Sequence, residues 1–390
     1  MVGAGLVGLA VARRIAQAAG AEVSVFEKEG AVSRHQSGHN SNVVHSGIYY
    51  APGSLKATLC RRGVGLLKEF CAEHELEYRE IGKVIVARDE AEVGRLHDLE
   101  KRAEGNGVPG VRRLGPEELR ELEPHVRGAA ALHSPTTAIV DYTSIARALA
   151  DEVTASGGSI LLNHAVTRIE RTGRGVAVYA NGDRYEFDHL VLCAGLQSDT
   201  VSRLAGDDPG PAIIPFRGEY YRLAPDRTHL VNRLVYPVPD PAYPFLGVHL
   251  TPRLDGSVDV GPNAVLALAT EGYRRTDVNP RDLLRTLSWP GSLRLFRRHW
   301  RMGVHEYRGS FSKRAFTAAA RAYVPELTPA DLLAAPAGVR AQAVDRDGSL
   351  VDDFRISSLG PVTAVRNAPS PAATSSLAIA EYVVDRLPDS

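Results

Sequence analysis

Residues 1–10 read MVGAGLVGLA, and Gly3, Gly5 and Gly8 stand there in G-x-G-x-x-G spacing. Gly3 permits a tight turn out of a strand. Gly5 lets a pyrophosphate approach the backbone, and Gly8 lets the following helix pack close to a sheet. A helix expected over about Leu6–Ala19 aims its positive end at the phosphates. Working outward, Glu22–Phe26 reads as a strand ending at Glu27. An acid at that point accepts hydrogen bonds from adenosine ribose hydroxyls. The competing reading of Glu27 is a solvated carboxylate. Glycines, helix, strand and acid occur in the order that a Rossmann-like dinucleotide-binding unit requires. Only Met1 and Val2 precede Gly3, too few for a central parallel strand. The expected explanation is a native start upstream of Met1. Mass spectrometry of the native protein showing Met1 as the terminus would overturn it.

Farther along, helices are expected at Ser54–Glu73, Glu90–Glu104 and Pro116–Leu122, and Asp141 reads as the N-cap of a helix to about Ala155. Gly82–Arg88 reads as a strand, followed later by Ser159–Asn163, Val166–Arg171, Val176–Ala180 and Arg184–Phe187. His189–Cys193 is a continuous apolar strand running into Ala194 and Gly195, a natural place for cofactor contact. From Pro211 to about Glu326, strands rich in Tyr, Val and Pro alternate with turns such as Asp255-Gly256. The final segment returns to alternating strand and helix. The expected fold class is therefore α/β: a discontinuous Rossmann-like cofactor domain with a truncated first strand, and an inserted, largely antiparallel α+β substrate domain. The cofactor domain is expected to comprise residues 1–75, 136–210 and 331–390, and the substrate domain residues 76–135 and 211–330.

Composition narrows the function classes. Lys plus Arg and Asp plus Glu are 46 each, so no net charge invites nucleic acid. Cys60, Cys71 and Cys193 are odd in number and lack zinc spacing, which reads as reduced thiols in a cytoplasmic protein. No apolar run suits a membrane span and no secretory signal is visible. No metal-ligand spacing, nucleophile elbow or P-loop lysine is present. Trp289–Arg301 carries Arg294, Arg297, Arg298, His299 and Trp300. It reads as a solvated basic helix face, or as a surface that lies peripherally on an anionic membrane at the inner face of the cell membrane.

Residues 35–50 read HQSGHNSNVVHSGIYY, and residues 52–57 read PGSLKA. Later blocks are PFRGEY at 215–220, YPVPDPAYPFLGVHL at 236–250, GPNA at 261–264, AGVRAQAV at 337–344 and NAPSPAAT at 367–374. Together they resemble the L-2-hydroxyglutarate oxidase/dehydrogenase family, FAD oxidoreductases related to D-amino-acid and glycine oxidases. The resemblance covers nearly the whole chain in order. It implies oxidation of L-2-hydroxyglutarate to 2-oxoglutarate by hydride transfer to non-covalently held FAD, with quinone or oxygen as the electron acceptor. It also implies a cofactor set of Gly3, Gly5, Gly8, Glu27, Lys28, Gln36, Ser37, Asn40, Ser41, Val166, Ala194, Gly195, Gly338, Pro369, Ser370, Ala372, Ala373 and Thr374. Asn42 stands where glycine is expected before the Val-Val-His run; it adds a side chain but tolerates unusual backbone angles.

Oxidising a 2-hydroxy acid needs a base for the hydroxyl proton and cations or donors for the carboxylates. His45 and His249 lie inside the family blocks, and either is the candidate base; the competing reading is a satisfied core histidine. Arg217 and Arg340 are the candidate carboxylate clamps of a small dicarboxylate, against an internal ion pair such as Arg217 with Glu219. Tyr49 and Tyr236 are candidate phenolic donors, or plain wall residues. Ser370 and Pro371 read as the start of a helix to about Leu387, whose positive end would face the flavin. An amino-acid or secondary-amine oxidase is the alternative within the fold, and a non-catalytic flavoprotein the alternative outside it.

Overall fold

Val2 pairs in parallel with Phe26 on one side and Leu192 on the other. This single residue joins the cofactor-side sheet in the computed structural model, which describes residues 1–18, 21–241 and 246–387. Strand Ser24–Phe26 pairs onward with Ser159–Leu161, and Leu190–Leu192 with Val362–Asn367, both in parallel. Antiparallel Arg355–Leu359 completes the series. Leu190–Leu192 and Val362–Asn367 are buried at every position, as strands covered on both faces must be. One cover is the helix layer Leu6–Ala16, Tyr142–Ala155 and Ser376–Val384, whose Leu9, Leu149 and Ile379 share one core. The other is the antiparallel meander of Val166–Thr172, Gly175–Ala180 and Asp183–Phe187, where Tyr185 and Phe187 meet the Phe26 ring edge-on.

The second body of structure is an eight-stranded mixed sheet. Lys83–Ala87 runs parallel to Leu234–Pro237 and antiparallel to Ala130–Ser134. His249–Pro252 and Val258–Gly261 follow beyond Leu234–Pro237. A smaller sheet pairs Ala212–Gly218 with Gly338–Val344 and Val265–Leu266.

Local signals explain most boundaries. Ser54 Oγ accepts the Ala57 N–H to cap helix Leu55–Glu73, and Asp141 accepts the Thr143 N–H to cap Tyr142–Ala155. Three expectations need correction. Strand character ends near Leu266; Pro280–Ser288, Pro290–Phe311 and Lys313–Arg321 are helices, opened by proline at the first helical position or by the Asn279 and Ser312 caps. Phe245–Leu250, the end of the block quoted at 236–250, reads as an apolar strand; the strand observed is His249–Pro252, and Phe245 lies outside the described residues. The last helix begins at Ser376, not at Ser370. Residues 370–375 form turns instead, with Ala372 N–H donating to Pro369 O and Ser375 N–H to Pro371 O. Thr374 Oγ1 is held by the His45 N–H and the Tyr142 hydroxyl, which ties this turn to other elements in place of a helix cap.

Candidate active site

A cavity of about 970 Å³ runs between the two bodies of structure, from the glycine turn to a wall of tyrosine and histidine. At its first end, Gly3 adopts φ 100°, and a Cβ there would lie 2.5 Å from Cys193 O. A Cβ on Gly8 would lie 2.0 Å from Gly3 O. Only glycine allows helix and strand to meet so closely. Ala4 N–H and Glu29 N–H donate to the two Glu27 carboxylate oxygens at 2.7 and 3.0 Å. Glu27 thus braces the turn while still lining the cavity. Leu6 N–H donates to Ser37 Oγ at 2.9 Å, bringing the following loop over the helix start. The cavity has the volume, the side-chain-free turn and the helix end that a dinucleotide requires.

The loop after the turn forms one flank. Asn40 Nδ2 donates to Ser37 O at 2.7 Å, and its Oδ1 accepts from Asn42 N–H at 2.8 Å. Asn42 has φ 58°, the left-handed conformation that asparagine tolerates where glycine was expected. Gln36, Ser41, Val166, Ala194 and Gly195 also line the cavity, and Gly338 packs its backbone where a Cβ would meet His39 O at 2.7 Å. Lys28 sits at the rim, bonded to Glu271 at 2.9 Å and to Glu29. Pro369, Ser370, Ala372, Ala373 and Thr374 line the other flank through the turns described above.

The far end carries the chemistry. His249 is buried on its strand, and its Nδ1–H donates to Gly247 O at 2.9 Å. A carbonyl can only accept, so in the neutral ring Nε2 keeps its lone pair. Its ring packs against that of Tyr236 at 4.0 Å between centroids, tilted by 31°. Burial first, then the charges of Arg340 and Lys83, push the His249 pKa down to about 3. His45 is pinned by its backbone: its N–H donates to Thr374 Oγ1 at 3.1 Å, and its carbonyl accepts from the Cys60 thiol at 3.1 Å. Burial and then Lys83 hold its imidazole well below the usual range. His45 Nδ1 and the Tyr49 hydroxyl are buried without a hydrogen-bond partner among the described residues, which suits groups awaiting a ligand. Arg340 lines this end with Tyr220, to which it is hydrogen-bonded.

Every residue of the expected set therefore borders one cavity except Arg217. That side chain is 5% exposed and pairs with Glu219 at 3.1 Å, where Arg275 and Asn263 join it. Its charge is satisfied internally, which removes it from the carboxylate clamp. Sequence reasoning missed Tyr220 on the wall and Lys83 behind it. Tyr220 closed a quoted block, and Lys83 opens a wholly buried apolar strand, an unusual place for lysine.

The family described as "FAD dependent oxidoreductase" (DAO) matches residues 1–386. An L-2-hydroxyglutarate dehydrogenase of Indibacter alkaliphilus is 44% identical over 99% of this chain and 97% of its own length. A mitochondrial L-2-hydroxyglutarate dehydrogenase of Nematostella vectensis is 44% identical over 99% of this chain and 89% of its own. Among solved structures, the L-alpha-glycerophosphate oxidase of Mycoplasma pneumoniae with FAD bound superimposes with a TM-score of 0.80 at 23% identity, covering 98% of this chain and 92% of that one. The glycine oxidase of Geobacillus kaustophilus gives a TM-score of 0.72 at 18% identity, covering 100% and 94%. These two likenesses show the shared fold. With its glycine cradle, the cavity that opens from it and a family match across nearly its whole length, the chain belongs to the DAO family of FAD-dependent oxidoreductases, alongside the L-2-hydroxyglutarate dehydrogenases.

Proposed function

We propose that this protein oxidises L-2-hydroxyglutarate to 2-oxoglutarate. One observation carries the reading: the cavity that begins at the glycine turn ends at a tautomer-fixed imidazole, a guanidinium and a tyrosine wall. That is a donor-rich, cationic pocket suited to a hydroxy diacid. The relatives at 44% identity supply the substrate's name. Gly3, Gly5, Gly8 and the start of helix Leu6–Ala16 would hold the pyrophosphate of FAD, and Glu27 its ribose. Bound FAD supplies the two-electron acceptor for the hydride leaving the alpha carbon. His249 Nε2 takes the hydroxyl proton, with Gly247 O holding the other ring nitrogen. Arg340, with Tyr220 beside it, holds a carboxylate.

The deciding experiment mixes the flavin-loaded protein anaerobically with L-2-hydroxyglutarate and, separately, with the D form. Rapid loss of the visible flavin band with the L form alone is expected. A bound flavin that neither form bleaches ends this assignment. Arg340→Met should raise KM for the diacid about 10- to 100-fold while kcat changes little. That is the ~1.5–3 kcal/mol of a hydrogen bond to a charged group. An unchanged KM in steady-state assays would remove Arg340 from the clamp.

The family implies an electron acceptor, and we propose a quinone reached at a membrane surface. Among the described residues, no helix is long and apolar enough to cross a membrane. Helices Pro280–Ser288 and Pro290–Phe311 nevertheless expose Leu284, Leu293, Trp300 and Phe311, with Phe311 at 75%. Exposed Arg294, Arg297, Arg298, Arg301 and Arg308 accompany them. Apolar anchors ringed by arginine favour an anionic lipid surface over plain solvent. The protein should float with phosphatidylglycerol vesicles at low salt and lose this with Trp300→Ser and Phe311→Ser together. Failure of the unaltered protein to float would leave oxygen as the acceptor to test.

A further inference from the structure

Lys83 is 1% exposed and lies on an interior strand of the eight-stranded sheet, between Leu234–Pro237 and Ala130–Ser134. Its strand registers Lys83 with Leu234 and Ile85 with Tyr236, so Lys83 and Tyr236 share a face. The ammonium stands 4.4 Å from the Tyr236 ring centroid and 5.1 Å from that of Tyr49. Both rings line the cavity, and Tyr236 also packs against His249. No carboxylate pairs with Lys83 among the described residues. Beside it lies the Cys60 thiol, which burial pushes up to about 12, so it is neutral at physiological pH and supplies no counter-charge. A buried cation with aromatic faces but no anion is costly unless an anion arrives.

We propose that Lys83 is a specificity-determining positioning residue: from behind the Tyr49–Tyr236 wall it supplies the positive potential by which the pocket takes a dianionic substrate. This rests on the diacid reading above and adds to it the group that selects for charge. The mechanism runs through the wall. A cation against a phenol ring strengthens the hydroxyl as a donor, and the Tyr49 hydroxyl is buried without a partner among the described residues. It is placed to receive a carboxylate oxygen. The same charge disfavours protonation of His45 and His249, which keeps their rings as acceptors.

The pH dependence follows from the groups around the ammonium. Burial pushes Lys83 down to about 7. Around it stand the rings of Tyr49 from the loop and Tyr236 from the neighbouring strand, Cys60 from helix Leu55–Glu73, and His45 and His249, on both of which its charge acts together with that of Arg340. Both histidines are pushed below their usual range, and Tyr49, Tyr236 and Cys60 above theirs. Between pH 6 and 9, Lys83 is thus the group of this cluster that changes charge. Below about pH 7 it is a cation and the pocket is at full strength. Above it, the cation is lost from the free protein and diacid affinity falls.

The test titrates the flavin-loaded protein with glutarate, a non-reducing diacid, and reads the shift of the flavin absorbance band. In the unaltered protein, Kd should be flat below about pH 7 and rise by up to tenfold per unit above it. Lys83→Met should bind about 10- to 100-fold more weakly at pH 6, with a flat profile. Lys83→Arg, whose charge does not titrate, should restore affinity and stay flat. Binding by the unaltered protein that ignores pH and matches Lys83→Met would overturn the Lys83 role and leave the diacid reading standing. No glutarate binding by the unaltered protein would overturn both. Should Lys83→Met fail to fold, the pH profile of the unaltered protein against that of Lys83→Arg still decides.

Discussion

His249→Asn should bind FAD normally and lose the visible flavin band about 10²- to 10⁴-fold more slowly on anaerobic mixing with L-2-hydroxyglutarate, the range a positioned general base contributes. Asparagine keeps an N–H donor for Gly247 O, which His249 now engages at 2.9 Å, and leaves nothing at the position of Nε2. The variant therefore separates proton removal from packing against Tyr236. With the imidazole of the free protein pushed down to about 3, and His45 also low, the base form is present throughout the neutral range. The apparent second-order rate of bleaching should accordingly show no acid limb above pH 5. Arg340 and Lys83 depress this pKa, and a bound diacid neutralises both charges, so basicity rises when substrate is in place. Stopped-flow traces across pH check both statements. If His249→Asn bleaches at the unaltered rate while His45→Asn does not, the base is His45.

The cofactor half of this site was legible because its signals are local. The spacing of Gly3, Gly5 and Gly8 and the asparagine at Asn42 each concern backbone conformation within a few residues, and Glu27 is marked by its place at the end of the next strand. The structure fills in what they do: Glu27 grips the turn through the Ala4 amide and its own loop through the Glu29 amide, and Asn42 takes the left-handed conformation. The substrate half depended on pairing between distant strands. Lys83 acquires meaning only when Leu234–Pro237 sets Tyr236 beside it. Arg217 is the instructive error. It stands two residues before Glu219, and side chains at that spacing on an extended chain share a face, so the ion pair at 3.1 Å was readable from the period of the strand. The turn at 370–375 was not readable. Its Ser-Pro pair fits a helix start, and only the contacts of Thr374 with His45 and Tyr142 explain why the helix waits until Ser376.

Gly8→Ala should yield a folded protein that purifies with little yellow colour, with FAD affinity lowered up to ~100-fold. The added methyl would sit 2.0 Å from Gly3 O and 3.1 Å from the Gly3 carbonyl carbon. Neither atom belongs to a flexible side chain, so the helix must draw back from the turn. Overpacking of this kind costs up to ~3 kcal/mol, and each 1.4 kcal/mol is about tenfold in binding. The movement also takes the helix end away from the pyrophosphate it would serve. Gly5→Ala should disturb the apoprotein less, because its methyl meets only Ser37 Oγ at 3.0 Å, and that side chain can turn aside at the expense of its bond from Leu6 N–H; any loss of FAD affinity there comes from the methyl standing in the path of the pyrophosphate. Gly65→Ala is the control. It lies exposed within helix Leu55–Glu73 with nothing within 4 Å of its Cβ position, so the change should stabilise the fold by about 0.5–1 kcal/mol and leave FAD binding alone. FAD titration followed by fluorescence quenching, with thermal melts of the apoproteins, ranks the three. If Gly8→Ala retains full FAD affinity, the close approach of helix and turn is not what shapes the cradle, and the pyrophosphate must be held instead by the loop that carries Ser37 and Asn40.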